Sequence, residues 1–219
     1  MKMIKLIFLF LIISGYSYSQ SAPAFWNDIA SFKKSDSSHF PPKDAVLFVG
    51  SSSIRFWTTI QQDFSNDSII NRGFGGSTLP DVTRYFYDII FPYSPKKIFV
   101  YCGENDLAAP YYASAKEVLK RFETLFCMMR TNFPKATISF ISIKPSPSRK
   151  SIQPEIIKAN FLVRQFLKDK KNTHFIDVYK FMADKNGNIR GDIFRPDELH
   201  MNRKGYEIWI REVKPYLNN

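Results

Sequence analysis

Cysteine is scarce. Cys102 and Cys127 are the only two in 219 residues, too few to staple a scaffold, and no Cys/His cluster has zinc spacing. Long apolar runs are missing as well: the longest, Leu6–Ile13, has eight residues, against the ~20 that a membrane-spanning helix needs. Acidic residues are outnumbered, 20 Asp+Glu against 31 Lys+Arg, for a net charge of +11. The basic runs Lys33-Lys34, Lys96-Lys97 and Lys168–Lys171 are nevertheless scattered, with no aromatic residues interleaved. They read as solvated faces, and no nucleic-acid partner is expected. Gly73-x-Gly75 lacks the third glycine of a dinucleotide fingerprint, and no Gly-Lys-Ser/Thr follows to make a P-loop. What the chain has instead is core material. At 44% apolar and 16% aromatic it can bury one full core, which excludes disorder and collagen-like repeats.

The first 19 residues read as an export signal. Lys2 and Lys5 precede the short apolar run, and Ser17-Tyr18-Ser19 supplies a small-x-small exit ahead of Gln20. Cleavage near Ser19-Gln20 would leave a mature charge of +9 in the periplasm or outside the cell, with no stable membrane insertion. No cysteine stands near the exit to carry a lipid. An oxidising compartment permits a Cys102–Cys127 disulfide, but both positions sit among apolar residues, and two buried free thiols are expected.

From residue 45 onward, short apolar runs alternate with helical patterns. Ala45–Val49, Ser68–Ile70, Lys97–Cys102, Thr137–Ile143 and Phe175–Val178 read as strands buried on both faces. Helical spacing is found over roughly 53–63, 80–90, 111–132, 154–171 and 203–217. Five strands alternating with helices predict one α/β domain over 45–219, a three-layer doubly wound parallel sheet. An N-terminal helix and linker, 20–44, precede it.

In such a sheet, ligands bind where loops leave the C-terminal strand ends. Those loops carry Gly50-Ser51-Ser52-Ser53, Asn71-Arg72-Gly73-Phe74-Gly75-Gly76-Ser77-Thr78, Gly103-Glu104-Asn105-Asp106 and Asp197-Glu198-Leu199-His200. Together they hold the parts of a serine acyl-transfer site. A serine at a strand-to-helix turn is the nucleophile, and glycine N–H groups and an asparagine amide stabilise an oxyanion. A histidine accepts the serine proton, and an acid three residues earlier orients it. No metal or cofactor is required. Each piece alone has a plainer reading as a cap or a tight turn. By spacing, any of Ser51, Ser52 and Ser53 is a candidate. His39, in a Ser/Pro loop, and His174, before a strand, read as structural or surface residues. The Gly-x-Ser-x-Gly elbow of α/β-hydrolases is absent, because Ile54 stands at its second glycine.

In order and placement, the four blocks resemble the SGNH hydrolases, the GDSL lipase/esterase family, and among them bacterial proteins similar to platelet-activating-factor acetylhydrolase subunits. The resemblance covers about residues 45–217. It implies a flavodoxin-like sheet, with Ser52 as nucleophile and Asp197 and His200 completing the triad. Ser52, Gly76 and Asn105 are then the oxyanion donors. Ser51 stands where the family usually has aspartate. The implied reaction is ester hydrolysis through an acyl-enzyme.

Substrate is less determined. Lys144 and Arg149, in the loop after the fourth strand, are weak candidates for contacting it. A short acyl group, acetyl first, on a carbohydrate or other small ester is the expectation. A lysophospholipase, lipid esterase or thioesterase is the alternative, and a non-catalytic binding protein on the same scaffold is the alternative of another class. The sequence does not fix oligomeric state.

Overall fold

The computed structural model describes residues 22–184 and 186–217; the export-signal residues lie outside these. Five parallel strands, β1 (Val46–Gly50), β2 (Ile69–Gly73), β3 (Lys97–Tyr101), β4 (Thr137–Ile141) and β5 (Thr173–Ile176), form one sheet in the order β2-β1-β3-β4-β5. The helices are α1 (Trp26–Ser38), α2 (Ser52–Arg55), α3 (Ile60–Asp63), α4 (Leu79–Arg84), α5 (Phe86–Ile89), α6 (Glu104–Leu107), α7 (Ala115–Asn132), α8 (Gln153–Lys168), α9 (Tyr179–Met182) and α10 (Arg203–Val213). This is the doubly wound α/β architecture expected from the alternating pattern. Strand order reverses between β1 and β3, and that is where such sheets open a crevice.

Alternation along each strand builds two cores. Leu47, Val49, Ile98, Val100, Ile138 and Phe140 face one layer, packed against α1, α4, α5, α7 and α8. Val46, Phe48, Phe99 and Tyr101 face the other, where Ile54, Trp57, Ile60, Tyr206 and Trp209 cover them. Phe48 and Phe99, paired across β1 and β3, stack with ring centroids 4.6 Å apart. On α7 the buried residues Val118, Phe122, Leu125, Phe126 and Met129 recur at three- and four-residue steps. Helix α1 joins the same body: Ile29 is fully buried, and Asp36 pairs with Arg72 of β2.

Several boundaries differ from the sequence pattern, each for a local reason. The segment 53–63 is two helical turns rather than one helix. The break directs Trp57 into the core, where its indole N–H donates to Asp63 (2.7 Å). The segment 80–90 is likewise broken, at Tyr85. Helix α7 starts at Ala115, four residues later than its apolar pattern, because a capping box sets its first turn. The Ser114 hydroxyl accepts from the Glu117 N–H (3.3 Å), and the Glu117 carboxylate accepts from the Ser114 N–H (2.7 Å). Both cysteines are free, but only Cys102 is buried. Cys127 is exposed, because it falls opposite the apolar stripe of α7; the expectation of two buried thiols is corrected there. Among the described residues no helix is long and apolar enough to cross a membrane.

Candidate active site

The turn that carries Ser51, Ser52 and Ser53 is built by close backbone approach. Gly50 ends β1 at φ +139°, and a methyl group there would sit 1.8 Å from the Tyr101 carbonyl oxygen, a contact only glycine allows. The Ser51 N–H donates to that same carbonyl (3.0 Å), which presses the start of α2 onto β3. Asn71 fastens the other side: its amide donates to the Ile54 carbonyl (2.8 Å) and accepts from the Gly73 N–H (2.9 Å). Ser51 and Ser53 are thereby buried at 3% exposure each, while the Ser52 side chain is left partly open. Of the three adjacent serines, Ser52 is thus the one with a partly open side chain.

His200 reaches Ser52 from the opposite end of the chain. Its Nε2 lies 3.1 Å from Ser52 Oγ, and its Nδ1 lies 2.7 Å from Asp197 Oδ2. The other carboxylate oxygen of Asp197 accepts the Leu199 and His200 N–H groups at 2.9 and 2.8 Å. Burial works to raise this carboxyl, but the hydrogen bonds from the His200 ring and from the two amides outweigh it. They hold Asp197 well below the usual carboxylate range. Its loop is closed by the Phe194–Met201 bridge and by the Arg195 N–H on the His200 carbonyl (2.8 Å). Glu198, at φ +55°, makes the tight turn between acid and histidine. Phe56 meets the imidazole edge-to-face, ring centroids 4.8 Å apart.

Gly76 and Asn105 lie just beyond the ends of β2 and β3. Gly76 is exposed at φ +80° with the Phe25 ring beside it. Asn105, in α6, donates one amide hydrogen to the Ser77 carbonyl (3.0 Å), which orients the side chain and leaves its second N–H to donate elsewhere. Asp106, part of the same strand-end block and with a plainer reading as a turn or cap residue, is fully buried. It accepts from the Leu79 N–H (3.0 Å) and from Arg121 (2.7 Å), tying α6 to α4 and α7. Burial pushes its carboxyl up, against the pull of Arg121.

Lys144 does not line a substrate groove. Its side chain is 1% exposed and paired with Glu104, an acid the sequence offered no reason to single out, so the expectation of a substrate contact is corrected. Arg149 sits partly exposed in the 3-10 turn Pro147–Ile152. His39 is exposed, and His174 packs against Tyr216 on β5, with burial and then Lys97 pushing its imidazole down. Among the described residues no three His, Cys, Asp or Glu side chains could hold a metal ion.

The chain was compared with known proteins. No match was found among curated proteins. Among solved structures, a Streptococcus pneumonia protein provisionally described as a platelet activating factor superimposes with a TM-score of 0.75 at 21% identity, over 87% of this chain and 92% of that one. A GDSL-like lipase from Bacteroides thetaiotaomicron gives 0.73 at 19%, over 87% and 97%. A variant of an acetyl-xylooligosaccharide esterase from Geobacillus Stearmophilus gives 0.64 at 12%, over 81% and 95%. At these identities the likeness is one of fold. The model of the GDSL-like lipase/acylhydrolase family matches residues 48–208, most of the chain and all four strand-end blocks, and the chain therefore belongs to that family and is an ester hydrolase.

Proposed function

We propose that this protein hydrolyses short-chain esters, acetyl esters of carbohydrates first, outside the cytoplasm. The observation that carries the reading is the hydrogen-bonded chain Ser52–His200–Asp197, at 3.1 and 2.7 Å. Asp197 favours the tautomer with the proton on Nδ1, so Nε2 can accept the Ser52 proton. Ser52 Oγ then bonds to the ester carbonyl carbon. The carbonyl oxygen takes the negative charge and is met by the N–H groups of Ser52 and Gly76 and the free amide hydrogen of Asn105. Collapse breaks the bond to the alkoxy oxygen, which leaves as alcohol with the proton from His200. Water repeats the sequence on the acyl-serine, releasing the acid and restoring Ser52.

The acyl preference is argued from the elements that surround the serine. The segments leaving β1, β2 and β3 are the short helices α2, α4 and α6, of four, six and four residues. None is long enough to form a lid over an extended acyl chain. A carbohydrate ester is favoured by the structural likeness to an acetyl-xylooligosaccharide esterase, and an extracytoplasmic setting by the signal-like residues 1–19.

Two measurements test the proposal. Initial rates on p-nitrophenyl acetate, butyrate and octanoate should fall with chain length, and a fluorophosphonate probe should phosphonylate Ser52, located by peptide mass spectrometry, with loss of fluoride. An octanoate optimum would replace the acetyl reading with a lipid-esterase one. Neither turnover nor labelling would leave a binding role for the scaffold. A third expectation concerns the oxyanion. Asn105→Ala should lower kcat by about 10²–10³ with KM nearly unchanged, since the amide is asked to act on charge that exists only in the transition state. A loss confined to KM would show instead that Asn105 merely holds the substrate.

A further inference from the structure

Among the buried charges that the mechanism does not use, Glu104 and Lys144 form one pair. Lys144 and Glu104 are 1% and 5% exposed, and their side-chain hydrogen bonds run to residues other than Ser52, His200 and Asp197. An ammonium has three N–H donors, and the Lys144 acceptors are Glu104 Oε1 (3.1 Å), Glu104 Oε2 (3.0 Å) and the Leu199 carbonyl (2.8 Å). Glu104 is met from its other side by Ser146 Oγ (2.8 Å) and the Tyr101 hydroxyl (2.7 Å). The wholly buried Tyr101 in turn accepts the Ser51 N–H on its carbonyl oxygen (3.0 Å), and Tyr206 donates to the Ser53 carbonyl (2.9 Å). A continuous buried path therefore runs from Ser51, beside Ser52, to Leu199, beside the histidine.

Its far end is specific. The Leu199 carbonyl and the His200 N–H belong to one peptide unit. Lys144 holds the carbonyl, and Asp197 holds the N–H at 2.8 Å. With both sides of that plane fixed, and the His200 carbonyl held by the Arg195 N–H (2.8 Å), so is the direction in which the His200 side chain leaves the backbone. Glu104 also directly precedes Asn105, so the same pair fixes the helical turn that presents the oxyanion amide.

We propose that the Glu104–Lys144 pair is a positioning device, which holds the Asp197–His200 loop and the Asn105 turn in register with Ser52. The inference rests on the Ser52–His200–Asp197 reading above. Stability alone is a poor explanation for the pair. Taking two charges out of water costs about as much as their attraction returns, and apolar residues of similar volume often serve packing as well or better. What an apolar pair cannot supply is a donor aimed at one carbonyl.

The test is the double variant Glu104→Leu/Lys144→Met, which removes both charges together, assayed with p-nitrophenyl acetate beside its melting temperature. The expected result, in assays kept below the melting transition, is a folded protein with kcat lower by about 10²-fold, the loss typical of a reacting group displaced by about 1 Å, and KM nearly unchanged. Its melting temperature should be lower, because the Tyr101 and Ser146 hydroxyls and the Leu199 carbonyl lose partners. The rate of fluorophosphonate labelling should fall in parallel. Glu104→Gln is the second variant, for the case that the double one does not fold; nearly isosteric, it should lose about tenfold in kcat and little in KM. Wild-type kcat in the folded double variant, or in Glu104→Gln if the double variant does not fold, overturns the proposal. Ser52→Ala run alongside separates the two failures. If it stays active, the nucleophile reading is wrong; if it is dead while the Glu104 and Lys144 variants are fully active, only the positioning role is lost.

Discussion

Ser52→Ala should lower kcat for p-nitrophenyl acetate by about 10⁶-fold, roughly 8 kcal/mol of transition-state stabilisation, while Ser51→Ala and Ser53→Ala remain active. The contrast is the informative part. All three are serines in one turn, and a nucleophile assigned by sequence block alone would be exposed to an error of one residue. Geometry separates them. Ser51 precedes α2, with its N–H on the Tyr101 carbonyl, and the Ser53 carbonyl accepts from Tyr206; both serines are at 3% exposure. Only Ser52 Oγ lies near an imidazole, at 3.1 Å from Nε2. Removing that oxygen removes the bond-forming atom and leaves the oxyanion donors in place, so a small residual rate above buffer is expected. Fold should persist, because a partly exposed hydroxyl at a helix start contributes about 1 kcal/mol at most. Steady-state kinetics on the three variants, with circular dichroism as a check on folding, decides the matter. Wild-type turnover in Ser52→Ala would sink the assignment, and a dead Ser53→Ala would move attention to the buried Tyr101–Glu104 path.

How much of this was open to reading from the sequence depends on the range of the interaction. Strands were legible because burial on both faces leaves uninterrupted apolar runs such as Val46–Val49, and their alternation with helices fixes a parallel sheet. The strand-end blocks were legible because glycine at a tight backbone approach leaves a local mark, as at Gly50 against Tyr101. Interactions set by tertiary packing left none. Nothing local distinguishes Glu104 from a solvated helix-start acid, or Lys144 from the substrate contact for which it was a weak candidate. Each is buried only because the other is brought opposite it from 40 residues away. Cys127 shows the converse error. Its apolar neighbours suggested burial, but the buried stripe of α7 passes through Leu125, Phe126 and Met129 and leaves residue 127 outside. Asp106 was visible as part of a block, but its work, joining Leu79 to Arg121, appears only once α4 and α7 are side by side.

Asp197→Asn should cost about 10⁴-fold in kcat, some 5 kcal/mol, with little change in melting temperature. The stability expectation follows from exposure: 47% of the Asp197 side chain is open to solvent, and paired groups that exposed contribute little. The catalytic expectation follows from proton placement. Asparagine keeps a carbonyl oxygen that can accept from the Leu199 and His200 N–H groups, so the loop can hold its shape. Its amide nitrogen then faces His200 Nδ1 and donates to it. That favours the tautomer with the proton on Nε2, pointed at Ser52, where the ring can no longer accept. The pH dependence separates this account from simple loss of charge. In the wild-type protein the carboxylate is held well below the usual range, so it stays ionised as pH falls to 4 and does not itself shape the acid side of the activity profile. By linkage, any stability it contributes is present above the unfolded value near 4 and is lost only as pH falls through the depressed folded one. Rates from pH 5 to 9 should therefore show Asp197→Asn depressed throughout, not merely displaced along the pH axis. A loss smaller than tenfold would mean that backbone bonds such as Arg195 N–H to the His200 carbonyl orient the ring without the acid.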